Sequence, residues 1–190
     1  MYEQDQNNNN AVIDYPGTKT SDFIYECLES VAQSLILVTI LFVFIFIRVQ
    51  VDGQSMENTL HHKDQLIVRK WNYTPQNGDI VAISRGQYFN KPIIKRVIAT
   101  EGQTLKIDFE TGKVMVNGKV IDEPYIKEVM TETGDNKIPE VVPEGYTFVM
   151  GDNRNNSADS RFRVIGLIDN KTIVGRAIFR IYPFDSFGKL

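Results

Sequence analysis

The chain has 190 residues, of which 42% are hydrophobic and 24% charged, and a formal net charge of −3. That length allows one domain with a real core plus an appendage, and the mild acidity excludes a global electrostatic case for nucleic-acid binding. A single cysteine, Cys27, excludes an intramolecular disulfide.

Residues 1–20 include QDQNNNN and read as a disordered polar tail. The run VAQSLILVTILFVFIFI, Val31 to Ile47, carries no charge, and only Gln33, Ser34 and Thr39 are polar. As a helix it spans roughly 25 Å, enough with flanking residues for a hydrocarbon core of about 30 Å. It has no strong polar face, which argues against a surface helix. The stretch before it holds Asp22, Glu26 and Glu29 without Lys or Arg, and RVQVDGQS after it lacks a small-x-small site. The run therefore reads as an uncleaved anchor over 21–48 rather than a removed signal. Lys19 precedes the anchor, whereas Arg48, Lys63, Arg69 and Lys70 follow it. That bias alone favours an inside location for the large domain, but long domains translocate largely regardless of charge. Local charge leaves the orientation open.

From Val49 onward the pattern is short and β-rich. Strands are predicted at 65–71, 79–84, 92–99, 103–109, 113–121, 146–152 and 172–183. Glu110-Thr111-Gly112 and Asn117-Gly118 supply hairpin turns. The stretch 122–145, rich in Glu, Thr, Pro and Gly, reads as an insertion or long loop. The predicted fold of 49–190 is therefore mainly β, a sandwich or barrel of antiparallel strands behind one N-terminal transmembrane helix.

Three segments carry candidate chemistry. In GQSMENTL, Ser55 follows the anchor in a glycine-bearing polar turn, where a nucleophile would be exposed. Serine needs an adjacent base. His61 and His62 are near in sequence, but they lie in a polar turn with no Asp placed to orient them; solvated loop histidines are the plainer reading. A lysine serves if its pKa falls by about 3 units through burial, at a cost of about 4 kcal/mol. Lys95, in PIIKRVIA, is the lysine with apolar neighbours on both sides. In a strand Lys95 and Arg96 point to opposite faces, so one is buried while the other is solvated. The competing reading is an edge-strand lysine that blocks aggregation. The third segment, GDNRNNSADSR (151–161), tips the balance. Asp152, Asn153, Arg154, Ser157, Asp159 and Arg161 together suit a buried polar network, with Ser157 placed to hydrogen-bond a neutral lysine amine and Asp159 to pair with Arg161. The adjacent histidines, without cysteine partners, make a poor metal site, and no metal or cofactor is expected.

With these segments placed, the chain resembles the type I signal peptidases, membrane-anchored Ser-Lys proteases that remove signal peptides from secreted proteins, and most closely their Gram-positive form with one anchor. Ser55-Met56-Glu57-Asn58-Thr59-Leu60 matches the family's serine box, Gly78-Asp79-Ile80-Val81 its G-D-I-V strand, Lys95-Arg96-Val97-Ile98 with Gly102 its lysine box, and Gly151 to Arg161 its last box. The resemblance implies Ser55 as nucleophile, Lys95 as general base, Ser157 as the hydroxyl that positions the amine, and Asp159 with Arg161 as a structural ion pair; Asp152 and Asn153 belong to the same supporting loop. It also implies a catalytic domain outside the cytoplasmic membrane, preprotein substrates bound as an added β-strand, and cleavage after small residues. Val49, Val51, Met56, Leu60 and Ile94 are candidates to line the substrate pockets. Asn58 stands where the family usually has proline, which predicts a looser turn. Gly53 stands where some members carry a hydroxyl of the oxyanion hole.

Three other readings compete. A penicillin-binding protein or β-lactamase needs lysine three residues after the serine, where this chain has Asn58. A self-cleaving repressor does not explain the anchor. A silent, non-enzymatic assembly factor of the same fold would lack the serine or the lysine, and both are here.

Overall fold

The computed structural model describes residues 18–84 and 91–190. The chain divides into two compact units, Met1–Phe42 and Val43–Leu190. The predicted tail lies outside the described residues up to position 17.

Helix α1 runs Thr18–Ile45. The anchor predicted over 21–48 is thus displaced: residues 18–20, assigned to the tail, are helical, and Phe46–Arg48 belong to a strand. At 28 residues the helix is about 42 Å long, more than a hydrocarbon core requires. Its large apolar side chains are exposed, from Phe23 to Phe44, and none of its apolar span is buried in protein. Among the described residues it is the one helix long and apolar enough to cross a membrane. The three polar side chains of its apolar run donate within the helix. Ser34 Oγ donates to the Ser30 carbonyl and Thr39 Oγ1 to the Leu35 carbonyl, both at 2.7 Å, and Gln33 Nε2 donates to Glu29 Oε1 at 3.0 Å. Such bonds lower the cost of placing these three groups in lipid.

The second unit is built from β1 (Phe46–Gln50), β2 (Gln65–Arg69), β3 (Ile80–Ile83), β4 (Ile93–Thr100), β5 (Leu105–Asp108), β6 (Lys113–Val116), β7 (Lys119–Val120), β8 (Tyr146–Met150), β9 (Ile168–Asp169), β10 (Ile173–Tyr182) and β11 (Gly188–Lys189). One sheet has the order β1-β2-β10-β3-β4-β8-β9, with β11 pairing on β10; a second has the order β5-β6-β7. Every ladder is antiparallel, as the sequence predicts. The predicted segment 113–121 divides at Asn117-Gly118, whose φ values of 52° and 74° form the left-handed pair a two-residue hairpin requires. Strands β1, β9 and β11 carry no independent sequence signal; the first continues the apolar anchor run, and the other two are only two residues long.

Two features place the site. Strand β4 is buried on both faces through its six central residues, because β3 and β8 flank it and separate apolar clusters cover its two sides. Arg96 is therefore buried along with Lys95, which corrects the expectation that one of the pair is solvated. The loop from Val51 to Asp64 closes on itself: the Val51 amide donates to the Asp64 carbonyl at 2.8 Å and the Lys63 amide to the Val51 carbonyl at 2.9 Å. Met56 and Leu60 drop from this loop into the same cluster as Leu66, Val68, Ile80 and Ile94. Fully burying each contributes about 1.5–3 kcal/mol, so the loop is pinned to the sheet from beneath.

Candidate active site

Ser55 sits in that pinned loop, just past the end of β1. The turn after it is closed, with the Glu57 amide donating to the Gln54 carbonyl at 3.2 Å and the Leu60 amide to the Met56 carbonyl at 2.8 Å. Where a looser turn is expected from Asn58, the turn is closed by these bonds and flanked by buried Met56 and Leu60. From the opposite side Asn153 braces the backbone: its amide donates to the Ser55 carbonyl at 3.0 Å and its Nδ2 to the Gln54 carbonyl at 3.1 Å. Among the described residues the Ser55 amide donates to no protein acceptor, so one backbone donor beside the hydroxyl is free to meet a developing oxyanion.

Lys95 lies on β4, paired in register with Val81, and is only 4% exposed. Its Nζ is 2.7 Å from Ser55 Oγ and donates to it when charged. At the same separation a neutral amine accepts the hydroxyl proton. Burial lowers the Lys95 pKa from 10.5 to about 8; the carboxylates of Asp159 and Asp152 pull it back up, and the Arg161 guanidinium adds to the lowering. The site thus makes an amine that is partly neutral near physiological pH, in contact with a hydroxyl. His62 takes a different place: its Nδ1 is 3.6 Å from Asp52 Oδ1 and accepts from the Gly53 amide at 3.3 Å. His61 is exposed.

The loop after β8 is buried where the sequence suggests. Asp159 and Arg161 form a fully buried two-pronged pair, Nε to Oδ1 and Nη2 to Oδ2, both at 2.9 Å. Asp152 pairs with Arg96 in the same forked way, at 2.8 and 2.6 Å, and also accepts from Thr59 Oγ1 at 2.5 Å. Charge-assisted forks of this kind fix orientation as well as distance. Ser157 Oγ is buried and has no hydrogen-bond partner among the described residues, so the bond to Lys95 expected of it is not formed. Its Oγ lies against Gly151, and so does the Ser55 carbonyl; a β-carbon at residue 151 would collide with both.

A cavity of about 530 Å³ opens beside the pair and is lined by Val49, Val51, Met56 and Ile94 together with Ser55 and Lys95. Four of the five apolar candidates thus reach it. Leu60 does not: it is wholly buried in the core, since its place four residues after Met56 in a closed turn directs it inward. A larger cavity of about 670 Å³ lies against β5 and β6, but neither member of the serine–lysine pair lines it. Sequence reasoning missed Arg96, Thr59 and Glu123. For Arg96 the available signal was the apolar residues on both sides of Lys95-Arg96 in PIIKRVIA, which mark a strand covered on both faces; nothing local marks Thr59 or Glu123.

The family described as "Signal peptidase, peptidase S26" matches residues 24–182. The chain belongs to this family. It is 36% identical over 183 residues to signal peptidase I of Bacillus licheniformis, covering 90% of this chain and 96% of that one. It is 36% identical over 179 residues to a probable signal peptidase I-1 of Synechocystis sp., covering 88% and 87%. The crystal structure of a signal peptidase I from Enterococcus faecalis V583 shares 29% identity and has a TM-score of 0.46, covering 55% of this chain and 97% of that one. As a member of the S26 family the chain is a serine endopeptidase, and its apolar N-terminal helix is compatible with membrane anchoring.

Proposed function

We propose that the protein cleaves signal peptides from exported preproteins, with Ser55 as nucleophile and Lys95 as general base. The observation that carries this reading is the 2.7 Å contact between a hydroxyl and a buried, pKa-lowered amine on separate elements. Neutral Lys95 takes the Ser55 proton as Oγ attacks the scissile carbonyl, and the free Ser55 amide faces the resulting oxyanion. Lys95 then protonates the leaving amine, and in the second half-reaction it takes a proton from the water that releases the acyl group. Ser157 is the buried hydroxyl left to orient the amine once that amine is neutral. Substrate adds as a strand along the cavity, where β1 is an edge strand and main-chain pairing gives affinity. Shallow apolar walls from Val49, Val51, Met56 and Ile94 suit small side chains before the cut. The reading places the β-rich unit on the extracytoplasmic side of the cell membrane, because preproteins present their cleavage sites there.

Both reacting groups are present and in contact, so nothing favours a silent assembly factor. The test is cleavage of a purified preprotein with an alanine-x-alanine site by the full chain in detergent. Wild type is expected to cut, and Ser55→Ala and Lys95→Ala to lose cutting while remaining folded. Equal cleavage by all three would refute the assignment.

A further inference from the structure

The stretch 122–145 has no ladder strand of its own, only a bridge from Val141 to Thr104, yet it is no free loop. Its Met130 and Val142 are buried in the cluster beneath β4 and β8. More telling is what its polar groups meet. Glu123 takes the Arg154 guanidinium at 2.5 and 3.2 Å, with Arg154 fully buried. The Tyr125 ring lies 3.9 Å from the Arg96 guanidinium, close enough for a stacked cation–π contact, and its hydroxyl donates to Glu123 at 3.1 Å. The Lys127 amide donates to the Asp152 carbonyl at 3.1 Å, and Lys127 Nζ to Glu57 in the nucleophile loop at 2.9 Å.

Two lines of contact lead from this strap to the reacting pair. Arg96, capped by Tyr125, holds the carboxylate of Asp152, which also holds Thr59 four residues after Ser55. Arg154, held by Glu123, donates from Nε to the Gly151 carbonyl at 2.9 Å, and the Gly151 amide donates to Asp159 at 3.0 Å. Each line ends on a carboxylate that acts on Lys95.

We infer that Glu123 and Tyr125 are positioning residues for the Ser55–Lys95 pair: the strap they belong to clamps Arg96 and Arg154, and through them the loop that carries Asp152 and Asp159. Neither residue touches substrate or the reacting atoms. The inference rests on the Ser–Lys reading above. Its physical content is that a forked ion pair fixes its two groups only relative to each other, so the loop is held only as firmly as whatever closes the guanidinium's other side. Tyr125 closes that side for Arg96, and Glu123 for Arg154. Without the strap, the loop loosens, water reaches Lys95, and the amine regains its proton. The groups whose charge bears on Lys95 are Asp152, Asp159 and Arg161, and Arg48, Asp52 and Lys91 line the cavity it opens on.

The experiment measures kcat, KM and the acid limb of kcat/KM between pH 6 and 10 for the full chain in detergent, with a peptide carrying an alanine-x-alanine site. The variants are Tyr125→Leu, Tyr125→Phe and Glu123→Gln. Tyr125→Leu and Glu123→Gln are expected to move the acid limb upward by about half a pH unit, which lowers kcat about threefold at pH 7, with KM within about twofold. Tyr125→Phe keeps the ring over Arg96 and is expected to keep the wild-type limb. An unmoved limb in folded Tyr125→Leu and Glu123→Gln overturns the inference. Unfolding of both variants overturns it too, since the strap would then serve stability alone. Failure of the underlying reading looks different: Lys95→Ala would still cleave, or wild type would show no acid limb near pH 8.

Discussion

Replacing Lys95 by methionine should stabilise the protein at neutral pH. The lysine ammonium is held where water barely reaches, and its pKa falls from 10.5 to about 8. At about 1.4 kcal/mol per pH unit, the interval between those values corresponds to about 3 kcal/mol. The sign follows from proton counting. Between about pH 8 and 10.5 the unfolded chain keeps the lysine proton that the folded chain has released, so wild-type stability rises with pH across that window. Below pH 8 both states hold the proton, and the folded state bears the full cost of a buried charge. Lys95→Met has nearly the same length and no charge. It should be more stable than wild type by about 3 kcal/mol at pH 6, with the difference fading by about pH 10.5. The assay is denaturant unfolding of the full chain in detergent at pH 6, 8 and 10, followed by near-ultraviolet circular dichroism. Parallel pH dependences in the two proteins, or a wild type that is the more stable at pH 6, would show that residue 95 is not held as a destabilised cation. Both the lowered pKa and its use as a base would then fail together.

Two further outcomes probe the scaffold. Gly151→Ala would drive a β-carbon into the Ser55 carbonyl and Ser157 Oγ; a displacement near 1 Å at the nucleophile should reduce kcat/KM by about 100-fold, and unchanged peptide cleavage would contradict the packing described. Leu60→Ala empties a fully buried site under the nucleophile loop and should cost about 2–5 kcal/mol of stability, read as a lowered unfolding midpoint; a cost below about 1 kcal/mol would mean that the loop is not anchored there.

Much of the site was legible because its chemistry is written in short contiguous stretches. Ser55, Lys95 and the loop 151–161 each stand out by composition, and the pairing of Asp159 with Arg161 joins residues two apart. Interactions across long sequence distances were not legible. Arg96 reaches Asp152 over 56 residues and Arg154 reaches Glu123 over 31, and no local pattern marks such partners. The burial of Leu60 was misjudged for the same reason: an apolar residue near a nucleophile reads equally well as pocket or core until the closure of the loop gives it a direction.

By itself the sequence determined the kinds of element and the reagents: an apolar helix, then short antiparallel strands, with a serine, one lysine in apolar company and a polar loop in which Asp159 can pair with Arg161. Residue type and periodicity decide these, since they depend on what each side chain can solvate or satisfy nearby. Tertiary structure alone decided that a hydroxyl and an amine 40 residues apart meet at 2.7 Å, that Arg96 is buried beside its neighbour, and that the stretch 122–145 is bound to the site. Such distances are set by strand register, loop closure and packing across the sheet, and no window along the chain contains them.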